Sequence, residues 1–134
     1  MPHKVVLANG CFDPFHYGHL LHLKAARKLG DVLVVAVTKD RSVNKGPGRP
    51  VFSELQRAEM VEAYCDSVIL VDSSLEALQQ VDPDVFVKDQ EYRGKILPED
   101  QSYCDARGIN IVFTEEKKYS STELLQHYDR LRKS

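Results

Sequence analysis

Residues 10–19 read Gly-Cys-Phe-Asp-Pro-Phe-His-Tyr-Gly-His and follow directly on the apolar run Lys4-Val-Val-Leu-Ala-Asn9. His16 and His19 straddle Gly18 where a strand hands over to a helix. An imidazole can donate to an anion as a neutral N–H or as a cation. A helix start adds free backbone N–H groups and the positive end of a dipole. Two imidazoles at that junction point to a phosphate chain rather than an apolar ligand. Gly18 would let such a ligand approach the backbone closely. His16 as a helix cap and His19 as a surface residue are the structural alternatives. A third histidine, His22, reads simply as a helix residue. A zinc site built on all three would use a shared helix face, but a fourth ligand at motif spacing is missing.

Other groups suited to phosphate lie further along. Lys45 sits in the loop Asn44-Lys-Gly-Pro-Gly-Arg49, which could close and carry a cation with it. Lys39, at the end of a strand, is a second candidate cation and Arg49 a third. Ser120, Ser121 and Thr122 open a helix. Ser120 is a sufficient N-cap, and three hydroxyls at a helix start also make a phosphate cradle. Asp13 suits a ligand-contacting carboxylate, or an Asx-type turn before Pro14. Arg57 falls in the first turns of a helix, where a cation opposes the dipole and needs another reason to be present. An ion pair with Glu54 or Glu59 would be one reason.

The elements that must position these groups alternate between strand and helix. Strands are predicted at Val5–Ala8, Asp31–Thr38, Val68–Val71, Asp84–Lys88 and Ile109–Thr114. Helices are predicted over 17–29, from the capping box Ser53/Gln56 to about Tyr64, over Leu75–Val81, over 99–107, and from the box Ser120/Glu123 to about Leu131. Loops fill 39–52 and 89–98. The continuous apolar run of the second strand fits a parallel strand covered on both faces. The pattern predicts an α/β fold of three layers, with a mostly parallel five-stranded sheet. The 134 residues suit a single domain, 1–134. A net charge of −2 argues against a nucleic-acid partner. The three cysteines, Cys11, Cys65 and Cys104, lack paired spacing, as expected in a reducing compartment. No apolar stretch nears the roughly 20 residues needed to span a bilayer, and no secretory signal is evident. A cytoplasmic location away from membranes is the expectation.

The segment Gly10–His19 resembles the HxGH signature of the cytidylyltransferase-like nucleotidyltransferases. Arg49-Pro-Val51 with Gln56-Arg57, Asp82-Pro-Asp-Val-Phe-Val-Lys88 and Tyr119-Ser-Ser-Thr-Glu123 resemble three further motifs of that family, in order and over nearly the whole chain. The similarity is strongest to the sugar-phosphate branch. That branch includes heptose-1-phosphate adenylyltransferases, with glycerol-3-phosphate cytidylyltransferases close by.

The resemblance implies a Rossmann-like fold, a homodimer, and transfer of a nucleoside monophosphate from a triphosphate to a phosphorylated small-molecule acceptor. ATP and a sugar phosphate are favoured. CTP with glycerol 3-phosphate or a related acceptor is the alternative, and a non-catalytic nucleotide-binding module partnering a sugar kinase is another. It implies that His16, His19, Lys45 and Arg57 act on the phosphates. Gly10, Cys11, Phe12, Asp13, Gly18, Lys88, Ser120, Ser121 and Thr122 would bind nucleotide, with Ser121 and Thr122 facing the β- and γ-phosphates. Asp13, Lys39, Arg49, Asp89 and Glu91 would meet the acceptor. Mg²⁺ is expected with the triphosphate, without identifiable protein ligands. The chain departs from the family at Lys88-Asp-Gln-Glu-Tyr92: relatives tend to have glycine where Asp89 stands and aspartate where Glu91 stands.

Overall fold

Each apolar run of the chain must be covered on both faces, and a helix after each strand supplies the cover. A computed structural model describes residues 3–115 and Arg130. Five strands form one parallel sheet: β1 (Val5–Gly10), β2 (Val32–Thr38), β3 (Ser67–Val71), β4 (Val85–Asp89) and β5 (Asn110–Thr114). Four helices connect them: α1 (Tyr17–Arg27), α2 (Glu54–Glu62), α3 (Ser74–Val81) and α4 (Pro98–Arg107). The strand order is β3-β2-β1-β4-β5, so the direction of winding reverses between β1 and β4. An open α/β sheet binds its ligand at the carboxyl ends of the strands flanking such a reversal.

Side chains alternate across the sheet with period two. Val6 and Ala8 of β1 join Leu33, Val35 and Val37 of β2 and Val85 and Val87 of β4 in one core layer, with Leu23 and Ala26 of α1 and Val61 of α2. Leu7, Ala36 and Phe86 point the other way, onto Ala77 and Leu78 of α3 and Cys104 of α4. The three-layer α/β/α prediction therefore holds. The sheet is wholly parallel among the described residues.

The predicted helix starts rest on identifiable caps. Ser53 and Gln56 form a reciprocal capping box at α2. Pro98 begins α4, and Gly108 ends it at φ 68°. Gly30 is required by close approach, because a Cβ there would stand 2.7 Å from the Lys4 carbonyl oxygen. Two features differ from the sequence reading. A 3-10 turn, Asp40–Ser42, lies in the loop after β2, and another, Gln90–Tyr92, follows β4. Three-residue turns carry no periodicity to read. The predicted helix from Ser120 lies outside the described residues. Among those described, no helix is long and apolar enough to cross a membrane.

Arg57 corrects the expectation placed on it. Its side chain is fully buried and binds no open space. Nε donates to the Phe52 carbonyl at 3.0 Å, and one terminal nitrogen donates to the carbonyls of Cys11 (2.8 Å) and Thr38 (2.7 Å). The other donates to Asp40 Oδ1 at 2.7 Å. Its acidic partner is thus Asp40, rather than Glu54 or Glu59. Glu54 instead accepts from the Asp40 backbone N–H. The guanidinium is a strut, not a phosphate ligand: it ties the ends of β1 and β2 to the start of α2. Removing it strands three carbonyl groups. We expect Arg57→Met to lower the unfolding free energy by about 3 kcal/mol in urea denaturation. A change below ~1 kcal/mol would contradict the strut role.

Candidate functional site

A cleft of about 150 Å³ opens at the strand ends around the β1/β4 reversal. Asn9, Gly10, Cys11 and Phe12 form its floor; His19 and His22 enter from α1; Lys45 comes from the loop after β2; Lys88, Asp89 and Tyr92 come from the end of β4. A larger open groove of about 500 Å³ lies between the C-terminal ends of α1 and α2. It sits at the opposite, amino edge of the sheet, where Arg27 is paired with Asp66, and holds none of the motif residues.

The His-x-Gly-His spacing is the spacing of a helix capping box, and the structure uses it as one. His16 is the N-cap of α1, and its Nδ1 accepts from the His19 backbone N–H at 3.4 Å. His19 Nδ1 accepts in return from the His16 backbone N–H at 3.2 Å. The rings stack with centroids 3.8 Å apart. A nitrogen that accepts an N–H carries no proton, so the neutral form of each ring has its proton on Nε2. That assignment follows from the bonding pattern. Each ring is left with one donor to offer a ligand.

Gly18 has a structural reason within the cap itself. A Cβ there would stand 2.9 Å from His16 Cε1, so glycine makes room for the capping ring. Phe12 adopts φ 51°, a conformation costly for a bulky residue, and is held there by burial of its ring beside His19 and Phe15.

Burial pushes the His19 imidazole down to about 4, helped by the neighbouring His16, His22 and Lys45 and opposed by Asp89. At neutral pH His19 is therefore an uncharged hydrogen-bond donor, and Lys45 and Lys88 bring the cleft's positive charge. Lys88 Nζ donates to Asn9 Oδ1 at 3.0 Å and lies 4.1 Å from the centre of the Tyr92 ring. Burial lowers the Lys88 ammonium from its ordinary value, against the pull of Asp100, Asp89 and Cys11. Asp89 lines the cleft and caps the following 3-10 turn through the Glu91 N–H at 2.8 Å.

Asp13 is buried and serves the fold of the site. Oδ1 accepts from the Val51 N–H and Oδ2 from Arg49 Nε, each at 2.7 Å, while its carbonyl accepts from Arg49 and from Lys45 Nζ. Burial alone would raise its carboxyl; the Val51 N–H, Arg49 and Lys45 outweigh that and hold it below the ordinary value. Asp13 and Arg49 thus staple the Lys45 loop to the HxGH loop instead of facing the cleft.

Of the residues singled out from the sequence, the cleft gathers Gly10, Cys11, Phe12, His19, Lys45, Lys88 and Asp89. His16 stands at the helix start beside His19. Lys39 is drawn off to Asp72, 3.8 Å away, and does not line the cleft. Glu91 is exposed next to the cleft and is not part of its lining. Ser120, Ser121 and Thr122 lie outside the described residues.

His22, Asn9 and Tyr92 line the cleft although the sequence reading did not assign them there. His22 is buried, with Nδ1 2.8 Å from Thr114 Oγ1 at the end of β5. Its i+3 spacing from His19 was the available signal. Asn9, inside an apolar strand, carried a weaker one: a polar residue next to the strand's end.

Fold and cleft together define an α/β domain whose cleft, at the topological reversal, is suited to an anionic ligand. The profile of the cytidylyltransferase-like family matches residues 7–127, and the chain belongs to that family of nucleotidyltransferases. It is 45% identical over 100 residues to the bifunctional protein HldE of Campylobacter jejuni subsp. doylei, covering 70% of this chain and 22% of that protein. It is 35% identical over 129 residues to the bifunctional protein HldE of Desulfatibacillum aliphaticivorans, covering 92% and 26%. The chain thus spans about a quarter of the length of these curated relatives. Among solved structures, it superposes on the lipopolysaccharide core biosynthesis protein of Thermoplasma volcanium GSS1 with a TM-score of 0.72 and 31% identity, over 87% of this chain and 100% of that one.

The His19 environment has a measurable consequence. An unfolded histidine takes up a proton near pH 6.5, which the folded cleft refuses until about pH 4. Between those values the unfolded chain binds more protons, so this contribution to stability is complete above about pH 6.5 and falls as pH drops toward 4. We expect the His19 Cε1–H resonance to stay at its neutral position from pH 8 to 5. A midpoint near 6.5 in that NMR titration would contradict the burial argument. Gly18→Ala, by displacing the His16 cap, should destabilise the protein by about 1 kcal/mol in thermal or urea unfolding.

Proposed function

We propose that this domain transfers AMP from ATP to the phosphate of a sugar phosphate. An acceptor phosphate oxygen forms a bond to the α-phosphorus. The bridging P–O bond to the β-phosphate breaks, and its electron pair leaves with pyrophosphate. The acceptor phosphate is already an anion at neutral pH, so no general base is required. Catalysis is then positioning and charge stabilisation. The observation that carries this reading is the meeting of His19, Lys45 and Lys88 in one cleft at the sheet's reversal. A neutral Nε2–H donor and two cations suit phosphate oxygens that gain charge as the bond breaks.

The sugar-phosphate assignment is supported by the motif resemblance and by the Thermoplasma neighbour, whose described role lies in lipopolysaccharide core biosynthesis. Mg²⁺ enters with the triphosphate in this reading, taking phosphate oxygens and water as ligands. Asp89 is the carboxylate that the cleft offers it. Ser120, Ser121 and Thr122 complete the phosphate contacts, and the domain acts as a homodimer, a state that light scattering measures.

Pyrophosphate release, assayed with each nucleoside triphosphate against a panel of phosphorylated acceptors, tests the proposal. The highest rate is expected for ATP with an aldose 1-phosphate. A preference for CTP with glycerol 3-phosphate would move the domain to the cytidylyltransferase alternative. Nucleotide binding without pyrophosphate from any pair would make it a binding module. With the active pair, His16→Ala should lower kcat by about 10²-fold, the scale of losing one transition-state donor. An unchanged kcat would remove His16 from the reaction.

A further inference from the structure

A second cavity of about 160 Å³ adjoins the cleft, with Lys88 and Tyr92 forming part of both linings. Its far wall is Ser74, at the first turn of α3, and Asp100, in the first turn of α4; Ile96 and Leu97 add an apolar side. Asp100 is 3% exposed. Its Oδ2 accepts from Ser74 Oγ at 2.5 Å. Its Oδ1 is buried and has no hydrogen-bond partner among the described residues. A buried carboxylate oxygen without a donor is costly, so its retention calls for a reason outside the unliganded fold. The ammonium of Lys88 attracts it but makes no ion pair with it. Burial pushes the Asp100 carboxyl up, as expected of an acid short of donors, with Ser74 and Lys88 acting against that.

The charges limit what fits. A phosphate would be repelled by Asp100, and an ammonium by Lys88 and Lys95. A hydroxyl suits both ends, because it can donate to a carboxylate oxygen while accepting from an ammonium. The volume holds several water-sized groups, at about 30 Å³ each. We propose that this cavity receives the hydroxyl-bearing end of the acceptor, with Asp100 Oδ1 accepting a hydrogen bond from one of its hydroxyls. The proposal rests on the transferase reading and deepens it. Phosphate lies on the His19 and Lys45 side of Lys88, and the carbon skeleton with its hydroxyls lies on the Asp100 side.

The test uses aldose 1-phosphates, mannose 1-phosphate among them, with methyl phosphate as the probe lacking hydroxyls. Calorimetric titration into protein saturated with α,β-methylene-ATP should show an aldose phosphate binding more tightly than methyl phosphate. Asp100→Asn keeps the shape and turns a donor toward the cavity. It should weaken the aldose phosphate by about tenfold or more, leaving methyl phosphate and nucleotide affinities unchanged. A merely structural defect would weaken all three. In the wild type, the Ser74 and Asp100 amide resonances should shift with the aldose phosphate and not with methyl phosphate, which tests the site even if the variant misfolds. Aldose affinity unchanged in Asp100→Asn, no aldose bound more tightly than methyl phosphate, or shifts confined to the His19 cleft would each overturn the proposal. Failure of the transferase reading is distinct: the sugar binds at Asp100 and no pyrophosphate appears.

Discussion

Everything at the carboxyl edge of the sheet depends on how the buried guanidinium of Arg57 is satisfied. Where β1 and β2 end, the carbonyls of Cys11, just past β1, and of Thr38, the last residue of β2, take donors from outside the strands. Arg57 supplies both from a single nitrogen, and holds Phe52 and Asp40 with its remaining face. A cation in the first turns of α2 works against the helix dipole by some tenths of a kcal/mol. Charge-assisted bonds to fixed acceptors are individually stronger, so they win. Only a planar fork reaches acceptors in several directions at once; a lysine at this position would leave most of them unpaired. The strut also fixes the Cys11 carbonyl, and with it the residue before the strained turn at Phe12 that opens the HxGH loop.

A second tie hangs on that loop. Asp13 is fully buried at its side chain and is matched by the Val51 N–H and Arg49. The pairing brings a loop some thirty residues away in sequence back over β1, and Lys45 arrives with it. The loop's glycines, Gly46 and Gly48, have φ 93° and 75°, conformations that let it turn twice in a few residues. Lys45 therefore owes its place to Asp13, Arg49 and the loop's turns, although none of these need touch a ligand.

The fold was readable because its signals are local and repeated: apolar runs of strand length, helical spacing between them, and capping boxes at the helix starts. The cleft is legible where chemistry and geometry coincide in sequence, as at Gly10, Cys11, Phe12 and His19, which line it. It was not readable where the partner is remote. Nothing near Arg57 reveals that carbonyls at residues 11 and 38 will surround it. Its charge suggested phosphate, and the same donors serve carbonyl oxygens equally well. Lys39 is a similar case: its partner Asp72 stands just past the end of β3, remote in sequence. His22 looks like an ordinary helix residue in sequence because Thr114, its hydrogen-bond partner, is 92 positions away.

The segment Lys88–Tyr92, where the motif resemblance implies a departure, has a local physical account. Glycine at position 89 would offer neither charge nor acceptor. Asp89 accepts the Glu91 N–H, and that bond caps the 3-10 turn Gln90–Tyr92. The turn lays the Tyr92 ring 4.1 Å from the Lys88 ammonium. A cation over an aromatic face gains roughly 0.5–2 kcal/mol, more as water is excluded. Lys88 needs such support, since burial acts against its charge and Asp89 and Asp100 act for it. The added carboxylate therefore helps keep the ammonium charged and orients the wall between the two cavities. Lys88, shared by both linings, is the point at which a change in position 89, itself in the histidine cleft, also reaches the second cavity.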